Sequence, residues 1–109
     1  MIKHLVFWRL QEEALGQPKA VNAQRMREQL EGLRGRIPGL LAIEVGIDFS
    51  AGPASSDVAL YSEFTDRAAL QHYQAHPLHQ EVVAFVAQVQ AERRMVDYEV
   101  PDRASAGAL

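Results

Sequence analysis

The feature that most constrains the fold is a strict alternation of apolar residues with small or charged ones through residues 41–49. The apolar set is Leu41, Ile43, Val45, Ile47 and Phe49. A period of two places all of them on one face of a β-strand. Residues 50–57 are rich in serine and alanine, contain Gly52 and Pro53, and form a loop too short for a crossover helix. The next strand, Val58–Phe64, is therefore predicted to run antiparallel to this one.

An earlier strand is predicted for residues 2–10, which are rich in β-branched and aromatic side chains. One face of this strand carries Ile2, His4, Val6, Trp8 and Leu10. The other face carries Leu5 and Phe7 between two basic residues. Because both faces of its middle are apolar, the strand is predicted to be central and covered on two sides.

The connection between the strand at residues 2–10 and the strand at residues 41–49 is predicted to contain an amphipathic helix. Its apolar residues recur at steps of three and four: Ala23, Met26, Leu30, Leu33 and Ile37. Pro18 suits the first helical position, and Pro38-Gly39 is a stop signal. We therefore expect the helix to run from Pro18 to about Ile37.

A second connection follows the Val58–Phe64 strand and is predicted to hold two helical pieces. Thr65 or Asp66 caps the first piece. The second piece starts after His76-Pro77, because a residue that precedes proline is driven out of the α region. Residues 94–100 alternate again and are predicted to form the last strand.

The resulting order is β-α-β-β-α-β, which right-handed crossovers convert into a split β-α-β arrangement of the α+β class. Its sheet has four antiparallel strands, with both helical connections on one face. Leu5 and Phe7 project from the other face, so the sequence predicts a homodimer in which two such faces stack. The domain is assigned to residues 1–101, and the small, polar residues 102–109 are predicted to be a disordered C-terminal tail.

Composition excludes several classes of function. The 109 residues contain no cysteine, which removes disulfides, thiolate nucleophiles and cysteine-based metal sites. The net charge is −3 with scattered basic residues, so no nucleic-acid partner is expected. No apolar run is long enough to span a membrane, and charged residues interrupt the first ten, which predicts a cytoplasmic protein with no membrane partner. Arg93 and Arg94 are interpreted as a solvated stretch rather than an anion site.

Candidate chemistry is concentrated in the histidines, three of which lie between positions 72 and 79. The fourth, His4, is predicted to face the helical side of the sheet, against which Tyr73 packs. An imidazole suits proton exchange near neutral pH, and a phenol can polarise a carbonyl. A site for proton transfer next to a carbonyl is therefore one interpretation. In the alternative interpretation, His76 caps a helix, His72 is solvated and Tyr73 belongs to the core.

Three segments together resemble the stress-responsive A/B-barrel family: Ile2-Lys3-His4-Leu5-Val6, Ile37-Pro38-Gly39 and Tyr73-x-x-His76-Pro77-x-His79. The resemblance extends over nearly the whole chain. It implies a ferredoxin-like protomer that pairs into a dimeric α+β barrel. Most members have no assigned reaction, but one plant member closes a linear polyketide by an intramolecular aldol step.

The acid/base histidine, supporting tyrosine and strand histidine of that plant cyclase match His79, Tyr73 and His4. We therefore expect an apolar pocket in each protomer, with these three residues at its mouth. The pocket-lining residues expected behind them are Val6, Trp8, His76 and Val82. Trp8 stands where the family usually has a smaller residue, which predicts a narrower pocket.

Several functions remain open from the sequence. The chain is either a homodimer that binds a small apolar or polyketide-like ligand, or a cofactor-free enzyme. One possible enzyme would transfer a proton, with His79 removing it while Tyr73 and His4 stabilise the oxyanion. The other would be a monooxygenase whose pocket is lined by Trp8, Tyr61 and Phe64. No cofactor is expected. No metal is expected either, because Pro77 breaks the register of His72, His76 and His79.

Overall fold

The computed structural model describes residues 1–101, so the predicted tail at residues 102–109 lies outside the described residues. The elements are β1 (Ile2–Leu10), β2 (Glu13–Ala14), β3 (Gln17–Pro18), α1 (Lys19–Glu31), β4 (Leu40–Ile47), β5 (Val58–Phe64), α2 (Arg67–Ala75), α3 (Pro77–Val89) and β6 (Gln90–Glu99). Apart from the short β2–β3 hairpin, this order confirms the predicted β-α-β-β-α-β sequence of elements, with two helices in the second connection.

The main sheet has four antiparallel strands in the order β4-β5-β1-β6. β1 is central, as its two apolar faces predicted. The register sets His4 between Ser62 on β5 and Asp97 on β6. The fold is therefore the ferredoxin-like α+β arrangement, and its register determines which side chains meet His4.

The helices cover one face of the sheet and enclose the core. The apolar residues predicted for the first connection are all buried, from Ala23 to Ile37. Other buried residues come from β1 (Ile2, Val6, Trp8, Leu10), β4 (Ile43, Val45), β5 (Val58, Leu60, Phe64) and the second connection (Leu70, Tyr73, Val82, Phe85, Val86, Val89). The alternating and helical periodicities thus located most of the core correctly.

The end of the first helix differs from the prediction. α1 ends at Glu31, with Gly32 as its C-cap, and residues 32–36 form turns. Within these turns Gly35 adopts a positive φ of 76°, which a continuing helix does not contain. Leu33 reaches the core from these turns and Ile37 from the residue just after them, so their helical spacing was misleading. At the other end Pro18 is the N-cap rather than the first helical residue.

The alternating strand also proves shorter than predicted. β4 ends at Ile47, and Phe49 lies beyond it with 98% of its surface exposed. A register shift between Leu40 and Ala42 leaves Leu41 53% exposed. The prediction that Leu41 and Phe49 share one strand face with Ile43 and Val45 is therefore wrong at both ends, because the strand pairing is irregular at one end and stops before the other.

The junction of α2 and α3 follows the prediction closely. Asp66 caps α2 by accepting a hydrogen bond from the Ala69 amide at 2.8 Å. His76 is extended (φ −68°, ψ 135°), and Pro77 is the first residue of α3. Nδ1 of His76 accepts a hydrogen bond from the Leu78 amide at 3.1 Å. His76 is therefore a helix cap, as one of the two interpretations of the histidines proposed.

The face of the sheet opposite the helices is apolar and exposed. Phe7, Val96 and Tyr98 keep 37%, 47% and 42% of their surface, and Leu5 is half-buried. The register places Leu5 opposite Val96, in the middle of this face. Within residues 1–101, no helix is both long and apolar enough to cross a membrane.

Candidate functional site

A cavity of about 210 Å³ lies between the sheet and α3 and is partly open to solvent. Aliphatic side chains form most of its wall: Val6, Leu30, Leu60, Val82, Val83, Val86 and Ala87. The remaining lining residues are Trp8, His4, Gln74, His79, Gln90 and Arg93. An engineered apolar cavity of about 150 Å³ is known to admit benzene, so this one has room for a small organic molecule.

His4 is buried and is held by the strand on each side of it. Its Nδ1 hydrogen-bonds the carboxylate of Asp97, and its carbonyl oxygen accepts a bond from the Ser62 hydroxyl at 2.9 Å. Both contacts follow from the antiparallel register of β1 with its neighbours. With Nδ1 engaged by Asp97, Nε2 is the ring nitrogen left for a bound molecule.

His79 lies in the first turn of α3 and packs against Tyr73. Their ring centroids are 4.1 Å apart, with planes inclined by 36°. The imidazole Nδ1 of His79 is 3.4 Å from the carbonyl oxygen of Gln74. Burial lowers the pKa of His79 from its ordinary value of 6.5. The hydrogen bond to the Gln74 carbonyl partly offsets this effect, and electrostatic repulsion from His4, Arg93 and His76 adds to it. His79 is therefore favoured in its neutral form, with Nε2 able to accept a proton.

Tyr73 is fully buried and does not line the cavity. Its ring lies 4.9 Å from that of Phe64 and 6.4 Å from that of His4. Its hydroxyl has no hydrogen-bond partner among the described residues, and burial raises its pKa well above the ordinary 10. In this structure Tyr73 supports the His79 ring from behind and does not reach the cavity surface.

The structure brings His4, Tyr73 and His79 into one cluster, but it separates the other two histidines from it. His76, expected in the pocket, instead lies at the α2–α3 junction, where its ring faces the exposed His72 at 5.6 Å. Within residues 1–101, no three histidine or acidic side chains are grouped so that they could hold a metal ion.

Trp8 forms part of the wall and leaves the cavity open. The narrower pocket that Trp8 predicted is therefore not a closed one. Its indole N–H is buried without a hydrogen-bond partner in the described part of the chain. Tyr61, considered for an oxygen-reactive pocket, lies on the outer face, where its hydroxyl donates to Glu63 at 2.5 Å. Phe64 is in the core behind His4 and does not line the cavity.

Sequence reasoning missed two residues on β6 that shape the site, Asp97 and Arg93. Asp97 lies opposite His4, and Arg93 lies opposite Trp8. The signal was present in the predicted topology, since an antiparallel neighbour of the first strand must bring residues of the last strand onto the same face. What was missing was the register, which depends on where β6 begins.

Comparison with known proteins agrees with the fold. The stress-responsive A/B-barrel domain matches residues 2–100. A dimeric protein of unknown function from Bacteroides fragilis is 31% identical, with 91% of this chain and 95% of that one covered and a TM-score of 0.81. A dimeric ferredoxin-like protein of unknown function from a Jannaschia species is 30% identical, with 91% and 98% covered and a TM-score of 0.69.

A more distant likeness extends to an enzyme. The hydroxynitrile lyase of Passiflora edulis is 18% identical, with 93% of this chain and 94% of that one covered and a TM-score of 0.74. At that identity the likeness concerns the fold alone. None of the curated proteins is significantly similar to the chain. From the domain match and the two closer structures, the chain belongs to the stress-responsive A/B-barrel domain family.

Proposed function

We propose that this protein binds a small, largely apolar molecule in the cavity between the sheet and α3. The observation that carries the proposal is the open cavity of about 210 Å³, whose wall is mostly aliphatic. A domain whose only task is to form a dimer would gain stability by filling such a space. His4, His79 and Gln74 supply a few polar contacts within an apolar wall, which is the usual composition of a ligand site.

The test uses a neutral probe with an apolar body and one carbonyl, such as hexanamide. Binding is followed by calorimetry and by the emission of Trp8, the only tryptophan in the chain. Val82→Phe places extra volume in the cavity and is expected to weaken binding about tenfold or more. Val21→Phe, at an exposed position on α1, is the matched control and should bind like the wild type. If neither hexanamide nor its carboxylate analogue hexanoate binds, the proposal is refuted.

A second candidate function, proton transfer next to a carbonyl, is favoured by the paired His4 and Asp97. Neutral His79 would accept a proton from the carbon beside the substrate carbonyl, and the electron pair would move onto the carbonyl oxygen as an enolate. His4, whose Nδ1 is engaged by Asp97, would donate a hydrogen bond from Nε2 to that oxygen. Returning the proton to carbon from His79 restores the starting state, so the step needs no further reactant.

This candidate is tested by the exchange of the α-protons of hexan-2-one for deuterium, followed by NMR in D₂O. The wild type should accelerate exchange over buffer, and His79→Ala and Asp97→Asn should each lower the rate by about 100-fold, the low end for loss of a positioned acid or base. His72→Ala, an exposed histidine outside the cavity, should leave the rate unchanged. Equal rates in wild type and both site variants would refute proton transfer while leaving ligand binding intact.

We further propose that two copies stack through the exposed face of the sheet that carries Leu5, Phe7, Val96 and Tyr98. Rows of half-exposed apolar residues on neighbouring strands are unusual on an isolated domain. The Bacteroides and Jannaschia proteins, which are 31% and 30% identical, are both dimeric, which supports the same assembly for this chain. The cavity lies on the opposite face and stays accessible in such a dimer.

Self-association is tested by analytical ultracentrifugation. The wild type should sediment as a dimer, and Phe7→Lys should sediment as a monomer because it buries a positive charge opposite Arg94, which has the same sign. Val21→Lys, which adds the same charge on the helical side, should remain dimeric. A wild type that is monomeric at micromolar concentration, or a dimeric Phe7→Lys variant, would contradict the proposed interface.

A further inference from the structure

The charges around the cavity are one-sided. The chain carries three more acidic than basic residues, yet none of the described residues that line the cavity is acidic. The lining contains two imidazoles and one arginine, Arg93. Asp97, which lies opposite His4 on this face, is hydrogen-bonded to His4. With His79 neutral and His4 paired with Asp97, the charge left at the described wall is the positive charge of Arg93, in a protein that is negative overall.

Arg93 is distinguished from its neighbour by what it faces. Arg93 lies opposite Trp8 on the helical side of β6, whereas Arg94 lies opposite Phe7 on the outer face. Arg94 pairs with Glu92 at 3.0 Å. Arg93 makes no hydrogen bond or ion pair with the residues that the structure describes, although its charge contributes to lowering the pKa of His79. Arg93 is exposed, as predicted for both arginines, and it differs from Arg94 in lining the cavity and in having no ion pair with the described residues.

Trp8, the strand partner of Arg93, does not offer a second donor to a bound molecule. Its indole N–H is buried and lacks an acceptor among the described residues, and no water-sized group in the cavity can touch it. Arg93 is therefore the charged donor of the described wall that an anionic oxygen could reach, and a hydrogen bond between two charged groups is stronger than one between neutral groups.

We propose that the ligand of the cavity is a small monocarboxylic acid, with its carboxylate at Arg93 and its apolar body among the valines of α3. This inference rests on the proposed function, because it names the class of molecule that the cavity binds. Scaling from benzene in about 150 Å³, a cavity of about 210 Å³ holds roughly eight non-hydrogen atoms. Hexanoate and benzoate are of that size.

The experiment compares hexanoate with hexanamide, which has the same shape and no charge, by calorimetry on the full chain. In the wild type hexanoate should bind about tenfold more tightly, the effect of one charge-assisted hydrogen bond at a partly exposed mouth. Arg93→Gln should bind both probes with the affinity that hexanamide has for the wild type. Arg94→Gln removes the same charge from the other face and should retain the tenfold preference.

Two further measurements separate the possible outcomes. High salt should reduce the preference for hexanoate in the wild type and have little effect on hexanamide. If hexanamide and hexanoate bind equally, or if Arg93→Gln keeps the preference, the carboxylate assignment is overturned while binding in the cavity stands. If neither probe binds, the failure lies with the proposed function itself. A folded Arg93→Gln variant is verified by its unchanged far-UV circular dichroism and melting temperature.

Discussion

Replacing Gly39 with alanine tests how the segment that follows α1 is fitted against α2. Gly39 adopts a φ of +84°, and a Cβ built on it would lie 2.5 Å from the Cβ of Ala69 and 3.3 Å from Oγ1 of Thr65. Gly35 adopts a similar φ of +76°, but a Cβ there would meet nothing within 4 Å. The two glycines therefore share the same backbone demand and differ in packing, which makes Gly35→Ala a matched control.

The magnitudes follow from these contacts. A left-handed conformation costs a residue with a Cβ about 1–2 kcal/mol, and both variants incur it. Overpacking a close contact adds about 1–3 kcal/mol, and only Gly39→Ala incurs that. The loss of unfolded-chain entropy on replacing glycine is common to both and cancels in the comparison. We expect Gly35→Ala to lose about 1–2 kcal/mol of unfolding free energy and Gly39→Ala to lose about 2–5 kcal/mol.

Urea unfolding, followed by Trp8 emission at one fixed protein concentration, measures both losses. Ala69→Gly in the Gly39→Ala background removes the opposing Cβ, so the double variant should recover most of the packing loss even though glycine weakens α2 slightly. Equal losses in the two single variants would refute the reasoning. So would a double variant less stable than the sum of its two single changes.

Other predictions follow from the caps and from burial. Asp66→Ala removes the acceptor for the Ala69 amide and should lower the unfolding free energy by about 1 kcal/mol, measured by urea titration. Because burial lowers the pKa of His79 below 6.5, the unfolded chain takes up a proton there before the folded one does. Stability should therefore fall as the pH is lowered through 6.5, and His79→Gln should show a smaller fall. An NMR titration in which His79 titrates at or above 6.5 would contradict the assigned cause.

The histidine site shows where prediction from the sequence ends. The period of two placed His4 on the same face as Trp8, and the proline after His76 separated two helices; the structure agrees on both. Neither pattern predicts which residue hydrogen-bonds to His4. Asp97 meets it only because β6 begins at Gln90, four residues before the predicted start, and pairs with β1 along almost its full length. Strand register is a property of two segments distant in the chain, and local periodicity carries no information about it.

Local sequence patterns were sufficient to predict the element order, the capped and kinked second connection and most of the core, because each depends on residues within a turn or two of one another. The antiparallel sheet then followed from the element order and the lengths of the connections. The end of α1, the exposure of Phe49 and the placement of His76 outside the cavity depended on which surfaces the rest of the chain covers. The open cavity, and the position of Arg93 at its wall, are likewise products of packing between α3 and the sheet. The space left between two packed layers is set by how all their side chains fit together, and no single segment encodes it.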